Sequence, residues 1–153
     1  MRSLELKVPP LVVVLAAAAL VWVAARAVPA FGVTLPARRS LAAGLAVAGA
    51  VTSALGVAAF RRARTTVNPM RPESSSALVV SGIYRVTRNP MYLGFLLLLL
   101  AWAVLLSNGL ALAVLAAFVL YMNRFQIVPE ERALSSTFGP AYAGYKARVR
   151  RWL

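Results

Sequence analysis

Four apolar runs alternate with polar stretches along the chain. They cover residues 10–28, 41–60, 91–107 and 110–128. Each run has about the length that an α-helix needs to cross a bilayer. The pattern therefore predicts an all-α, polytopic membrane protein with about four transmembrane helices.

The first two runs predict two transmembrane helices in the N-terminal part of the chain. The run over 10–28 is too long for the apolar part of a signal peptide, so we expect a retained helix rather than a cleaved leader. The run over 41–60 carries small residues at helical spacings, which let transmembrane helices approach closely. These residues are Gly44, Gly49, Ser53 and Gly56.

Only Asn108-Gly109 separates the third run from the fourth. Such a short turn predicts a tight helical hairpin. Beyond it, residues 129–153 are polar and basic, and we expect one or two surface helices there. Aromatic residues at helical spacing in this tail, Phe138, Tyr142 and Tyr145, favour anchoring at the membrane interface over contact with a ligand.

The composition is 61% hydrophobic and only 14% charged, with a net charge of +13. Lys and Arg cluster at residues 61–88 and 124–151, and none lies in the 108–109 turn. Because basic residues favour the cytoplasmic side, both termini are predicted to be cytoplasmic. No basic soluble domain remains, so we expect no nucleic-acid partner.

The chain has no cysteine and no histidine. Disulfides, thiolate nucleophiles, imidazole bases and His-based metal sites are thereby excluded. We expect no metal site. Any chemistry must depend on Arg, Glu, Tyr, Asn and backbone groups, or on a cofactor.

The segment from Gly82 to Gly94 places polar side chains at the start of the third run. Asn89 is a favoured N-cap and Pro90 is favoured at the first helical position. A helix N-terminus attracts anions, and Arg88 beside it adds a guanidinium suited to a carboxylate. The segment therefore predicts a binding site for a small carboxylate.

Glu130 and Glu131 form a second cluster, directly after the fourth run. They are interpreted either as ion-paired residues in the first turn of a helix or as an anionic contact for an ammonium or a ribose hydroxyl. Arg124 lies about two helical turns earlier and could face the same cleft.

The order of these motifs over residues 60–152 resembles one superfamily of integral membrane enzymes. It comprises the isoprenylcysteine carboxyl methyltransferases and the phospholipid N-methyltransferases. The resemblance depends on several blocks in sequence: Leu78-Val79, Gly82-x-Tyr84, Arg88-Asn89-Pro90-Met91-Tyr92-x-Gly94, Glu130-Glu131, Leu134, Phe138-Gly139, Tyr142 and Tyr145.

This resemblance implies S-adenosyl-L-methionine as the methyl donor, bound in a cytoplasm-facing pocket. It implies that Arg88 suits the donor's carboxylate and that Glu130 or Glu131 completes the pocket. Arg124, Glu130 and Glu131 are the implied catalytic residues, although Gln126 could take the place of Arg124 as a substrate contact. The remaining implied cofactor residues are Ser76, Ala77, Leu78, Val79, Tyr84, Asn89, Pro90, Met91 and Tyr92.

One position departs from the pattern, because many members of the superfamily have His where this chain has Asn89. An Asn donates hydrogen bonds but carries no charge, so a proton-shuttling role there is in doubt. An amine or phenol acceptor must lose a proton, for which Glu130, Glu131 or Tyr92 are the candidates. A carboxylate or thiolate acceptor needs no base.

Together with the resemblance, these features predict an S-adenosylmethionine-dependent methyltransferase that acts on a lipidic or lipophilic acceptor. The acceptor would enter from the bilayer, and membrane lipids would be the partners of the protein. Residues 1–60 would form an N-terminal transmembrane helix pair and 61–153 the catalytic core. A bacterial inner membrane is the expected location. The alternative is a non-catalytic small membrane protein, a transporter or an assembly factor, that keeps the fold.

Overall fold

The computed structural model describes residues 5–64 and 76–153. Residues 65–75, part of the basic 61–88 stretch, lie outside them. Two short 3₁₀ turns cover Pro29–Phe31 and Gly82–Arg85. The main helices are α1 (Pro10–Ala27), α2 (Arg38–Arg62), α3 (Pro90–Leu106), α4 (Ala111–Tyr121) and α5 (Val128–Arg148).

A π-helical segment, Met122–Ile127, joins α4 to α5 without a break, so residues 111–148 form one helical rod that is kinked at Gly139. Within the described residues, that rod, α1 and α2 are long and apolar enough to span a membrane. The helix α3 is apolar but shorter, with 17 residues. The predicted all-α membrane architecture is confirmed, whereas the count of four crossings stays a prediction.

The helices α2 and α3 lie backbone against backbone. A Cβ added to Gly94 would stand 2.0 Å from Ser53 Oγ and 2.5 Å from the Gly49 carbonyl oxygen. Gly56 faces Pro90 and Met91 in the same contact. The predicted packing role of the small residues on α2 is thus confirmed at three positions. Gly44 differs, because a Cβ there would meet nothing within 4 Å.

Side chains from α1, α3 and α4 build the main core. Val21, Leu99 and Phe118 are almost completely buried there. Trp102 on α3 donates its indole N–H to the Ala18 carbonyl of α1, at 3.1 Å. This bond satisfies a backbone oxygen and ties α1 to α3.

The turn between α3 and α4 confirms the predicted hairpin. Ser107 adopts a left-handed conformation (φ 52°) that ends α3. The Asn108 carboxamide accepts from Leu110 N–H at 3.0 Å and donates to the Val28 carbonyl at 3.0 Å. The hairpin turn is therefore fixed against the chain that follows α1.

The opposite end of the bundle, where α2 ends and α3 begins, carries most of the basic residues and is called the basic end below. A second core forms here around Tyr84, Tyr142 and Tyr145. The helix α5 bends over it at Gly139, whose φ of 47° lies outside the helical region, and Pro140 follows. The tail thus continues α4 instead of starting anew at residue 129.

Candidate functional site

A cavity of about 90 Å³ lies at the basic end, between the turn at Gly82–Arg85, the start of α3 and the first turns of α5. It brings together most of the residues predicted to hold a cofactor. Its walls are Phe60, Ala77, Leu78, Val79, Tyr84, Arg88, Asn89, Met91, Tyr92, Glu130, Glu131, Leu134, Tyr142 and Tyr145.

Arg88 supplies the positive charge of the cavity wall. Its side chain is 13% exposed, and Nη1 lies 3.2 Å from Glu131 Oε1. In the described part of the chain, neither Nε nor Nη1 has a well-aligned hydrogen-bond acceptor. Buried guanidinium N–H groups are costly to leave unpaired, so Arg88 retains the capacity to bind an anion in the cavity.

Glu131 is held between two arginines. Arg151 donates from Nη2 and Nε to the two carboxylate oxygens, at 2.7 and 3.1 Å, opposite the contact with Arg88. This carboxylate raises the pKa of Arg151 above its ordinary value. Of the two interpretations, the ion-paired one describes Glu131.

Glu130 has a different environment. Its carboxylate accepts a hydrogen bond from the Tyr92 hydroxyl. Among the described residues, no Lys or Arg forms an ion pair with it. A carboxylate on a cavity wall without a cation beside it is suited to receive a positively charged group.

Three tyrosines close the cavity on the side of the tail. Tyr145 donates its hydroxyl to the Tyr84 carbonyl at 2.8 Å. Burial raises the pKa of the Tyr84 hydroxyl, so the Tyr84 side chain stays neutral. Tyr142 and Tyr145 are only 3% and 4% exposed. Their expected role as interfacial anchors is therefore wrong, since they pack into the cavity wall.

The last residues of the chain cross the start of α3. The Arg151 carbonyl accepts from Asn89 Nδ2 at 2.9 Å and from Thr87 Oγ1 at 3.3 Å. The Arg150 carbonyl accepts from Arg88 N–H at 3.0 Å. Asn89 takes the N-cap position as predicted, but its side chain makes no capping bond because it holds the C-terminal segment instead.

Three predicted site residues lie outside the cavity wall. Ser76 is exposed beside it, and the ring of Pro90 packs toward Gly56 on α2. Arg124 points away, where it pairs with Glu5 at 2.6 Å and is 44% exposed. The expectation that Arg124 faces the same cleft is thus corrected, because this pairing directs its guanidinium to the outside.

Sequence reasoning missed Phe60 and Arg151. Phe60 packs edge-on against Tyr84, with ring centroids 5.5 Å apart. It ends an apolar run, and nothing in the pattern separates it from a residue that faces lipid. Arg151 lies in a basic tail where every arginine looks alike, so only the folded chain identifies the one that binds Glu131.

The chain also matches known proteins. The phospholipid methyltransferase family model matches residues 37–141. An uncharacterized protein of Haemophilus influenzae is 52% identical over 63 residues, which cover 41% of this chain and all of that relative. No solved structure gives a significant match.

Two plant relatives carry functional names. The probable protein-S-isoprenylcysteine O-methyltransferase of Oryza sativa subsp. indica is 33% identical over 108 residues, 69% of this chain and 55% of that protein. Protein-S-isoprenylcysteine O-methyltransferase B of Arabidopsis thaliana is 33% identical over 88 residues, 58% of this chain and 45% of that protein. The chain spans about half the length of these relatives. The predicted superfamily is confirmed, and the chain belongs to the phospholipid methyltransferase family.

Proposed function

We propose that this protein is an S-adenosylmethionine-dependent methyltransferase whose acceptor is a lipidic or lipophilic molecule. The family supports methyl transfer, and helices that are long and apolar enough to span a membrane support a location of the cavity close to a bilayer. When bound, S-adenosylmethionine supplies an electrophilic methyl group on a sulfonium. The residues of the chain bind this donor, orient it and exclude water.

The charges around the cavity support a zwitterionic amino-acid group as its ligand. Arg88, which is also ion-paired with Glu131, offers N–H donors without well-aligned acceptors for a carboxylate. The start of α3 adds the positive end of the helix dipole, and Met91 in its first turn lines the cavity. Glu130, which lacks a cationic partner among the described residues, suits an ammonium. The presence of Arg88 and Glu130 in the wall of one cavity is the observation that carries the proposal.

The remaining walls are apolar or aromatic and fit the rest of the donor. Leu78, Val79 and Leu134 present aliphatic surface, and Tyr84 presents a ring. At about 90 Å³ the cavity is smaller than the roughly 300 Å³ at which pockets for drug-sized ligands begin. Binding of a whole donor therefore needs the walls to separate, whereas its amino-acid end requires less space.

The chemistry of the acceptor decides whether the protein must also remove a proton. A carboxylate or thiolate attacks without a base, whereas an amine or phenol must be deprotonated. Glu130 is the candidate base, because no arginine neutralises it in the described structure. Glu131 is less suited, since two arginines stabilise its ionised form.

Calorimetric titration of the purified protein in lipid nanodiscs with S-adenosylmethionine and with S-adenosylhomocysteine tests the proposal. We expect both compounds to bind. If neither compound binds, the proposal is refuted. Incubation of membranes with methyl-labelled donor then tests the acceptor. Label in the lipid fraction supports a lipidic acceptor, whereas label only in water-soluble products contradicts it.

A further inference from the structure

The π-helical segment Met122–Ile127 lies directly before the two carboxylates of the cavity. A π-turn holds one residue more than an α-turn, and π-helical segments often occur at functional sites. An α-helical path over the same residues would turn the following helix by roughly 100° about its axis, the rotation of one α-helical residue. The π-helical segment therefore sets the direction in which Glu130 and Glu131 leave α5.

The N-terminal segment, residues 5–8, binds to this turn at two backbone positions. Leu6 N–H donates to the Phe125 carbonyl at 3.0 Å. Gln126 Nε2 donates to the Val8 carbonyl at 2.7 Å. Because i→i+5 bonding leaves the local backbone irregular, such external bonds help to stabilise it.

Glu5 adds an ionic contact across the turn. Its carboxylate binds Arg124, within the π-helical segment, at 2.6 Å and Arg132, on α5, at 3.2 Å. The two arginines lower the pKa of the Glu5 carboxyl group, and Arg124 has the larger effect. One carboxylate thus connects the residues before and after the point where the helix changes its path.

The C-terminal segment, residues 149–152, binds the opposite side of the turn. Asn123 Oδ1 accepts from Trp152 Nε1 at 3.1 Å and from Arg151 Nη1 at 3.5 Å. Arg151 also holds Glu131, so this segment connects the π-helical segment to the cavity.

Gln126 is the innermost residue of the arrangement. Its side chain is completely buried, and its Oε1 has no hydrogen-bond partner among the described residues. A leucine or methionine would fill such a site without an unpaired oxygen. The amide occupies this site at that cost, and the bond to the Val8 carbonyl is what it provides.

We infer that Gln126 is a positioning residue, which anchors the π-helical segment to the N-terminal segment and thereby aims Glu130 and Glu131 into the cavity. Gln126 does not line the cavity. Its effect on activity would pass through the direction of the two carboxylates. The consequence for methyl transfer rests on the proposed function, whereas the helix rotation does not.

The test replaces Gln126 by methionine, which keeps the length of the side chain and removes the N–H donor. Because the chain has no cysteine, nitroxide labels can be attached to Arg61→Cys on α2 and Ser136→Cys on α5, both exposed. A rotation of roughly 100° moves a side chain on a helix 10–12 Å wide by up to about 8 Å. We expect Gln126→Met to shift or broaden the label distances measured by pulsed electron paramagnetic resonance.

Trp102→Phe is the matched control, because it removes a similar bond, from Trp102 Nε1 to the Ala18 carbonyl, far from the turn. We expect both variants to remain folded, although each leaves one backbone carbonyl without its side-chain donor. Only Gln126→Met should change the label distance and weaken donor binding, by about tenfold. A folded Gln126→Met protein with the wild-type distance would overturn the inference.

Glu5→Gln is a second, milder variant, since the arginines that it releases are exposed. We expect a smaller shift of the label distance in the same direction and a donor affinity lower by about two- to threefold. If Gln126→Met does not fold, an unchanged distance in Glu5→Gln overturns the inference. If wild-type protein binds no donor, the proposed function fails, and the label distances still decide whether Gln126 sets the helix direction.

Discussion

The helix α3 is held at two places by different kinds of contact. Along its length it meets α2 through Gly94, Gly49 and Ser53. At its N-terminus it meets α5 and the C-terminal segment through Arg88, Glu131 and Arg151. The first contact depends on shape, and the second on charge.

The two contacts also differ in how completely their atoms are packed and hydrogen-bonded. At Gly94 the α2–α3 contact leaves no space, since a single Cβ there would overlap the facing backbone. At the basic end, the buried side-chain atoms without hydrogen-bond partners in the described structure are Arg88 Nε, Arg88 Nη1 and Gln126 Oε1. Unpaired buried polar atoms need an explanation, and binding of a ligand by Arg88 supplies one. The α2–α3 contact is therefore a support for the helix, whereas the basic end holds the candidate site.

Gly94→Ala should have the largest effect, because the new Cβ would overlap Ser53 and the Gly49 carbonyl. Overpacking of this kind costs about 1–3 kcal/mol, and more where only backbone can yield. We expect a lower thermal unfolding midpoint and less folded protein in detergent. Gly44→Ala is the matched control, since open space surrounds it and alanine favours a helix over glycine. Equal unfolding midpoints would show that α2 and α3 do not touch as described.

Arg88→Ala should act on the ligand and leave the support intact. Loss of a charged hydrogen bond costs about 1.5–3 kcal/mol, which corresponds to a donor affinity lower by about tenfold or more. Calorimetric titration with S-adenosylhomocysteine measures this change. Arg85→Ala, three residues earlier and outside the cavity wall, should bind nearly as wild type. A similar loss in both variants would mean that general charge, and not this site, attracts the donor.

The sequence predicted close packing of α2, although not that α3 is its partner, and it predicted most of the cavity wall for a distinct reason. Small residues at helical spacing have few uses in a membrane helix other than close packing, so Gly49, Ser53 and Gly56 were informative by themselves. Arg88 and Glu130 were found because a helix start and a rare acid pair mark polar chemistry in an apolar chain. Each of these signals lies within a short stretch of the chain, so a single sequence is enough to detect it.

Other features could not be predicted, because they depend on which residues meet in space. The π-helical segment has no compositional signature, and periodicity alone continues straight through it. Arg124 and Gln126 looked equally suitable as site residues, but the helix path directs one outward and buries the other. Arg151 reaches Glu131 only because the chain end folds back over α3.

Arg151→Gln tests whether the ion pairs at Glu131 tune the site. Without Arg151, Glu131 attracts the Arg88 guanidinium more strongly, and Arg88 becomes less available to a ligand carboxylate. Because Arg151 is one-third exposed, we expect only about a two- to fivefold loss of donor affinity. Arg150→Gln is the control, since only the backbone of Arg150 contributes, through a bond from Arg88 N–H. A larger loss in Arg150→Gln than in Arg151→Gln would contradict this role of Glu131.

The smallest change is expected at Asn89, the position where the motif departs from the commoner His. Asn89 donates to the Arg151 carbonyl, which also accepts from Thr87 Oγ1 and therefore keeps a partner in any variant. Asn89→His retains a ring N–H donor, so we expect a donor affinity within about twofold of wild type. Asn89→Leu, which has no donor, should lose about 1 kcal/mol of unfolding free energy, and hydrogen exchange at residues 149–152 measures the release of the C-terminal segment. A gain of methylation rate in Asn89→His that follows imidazole ionisation would mean that residue 89 moves a proton. An unchanged rate would mean that this position only joins the chain end to α3. The charged groups that act on a ligand would then be Arg88 and the glutamates.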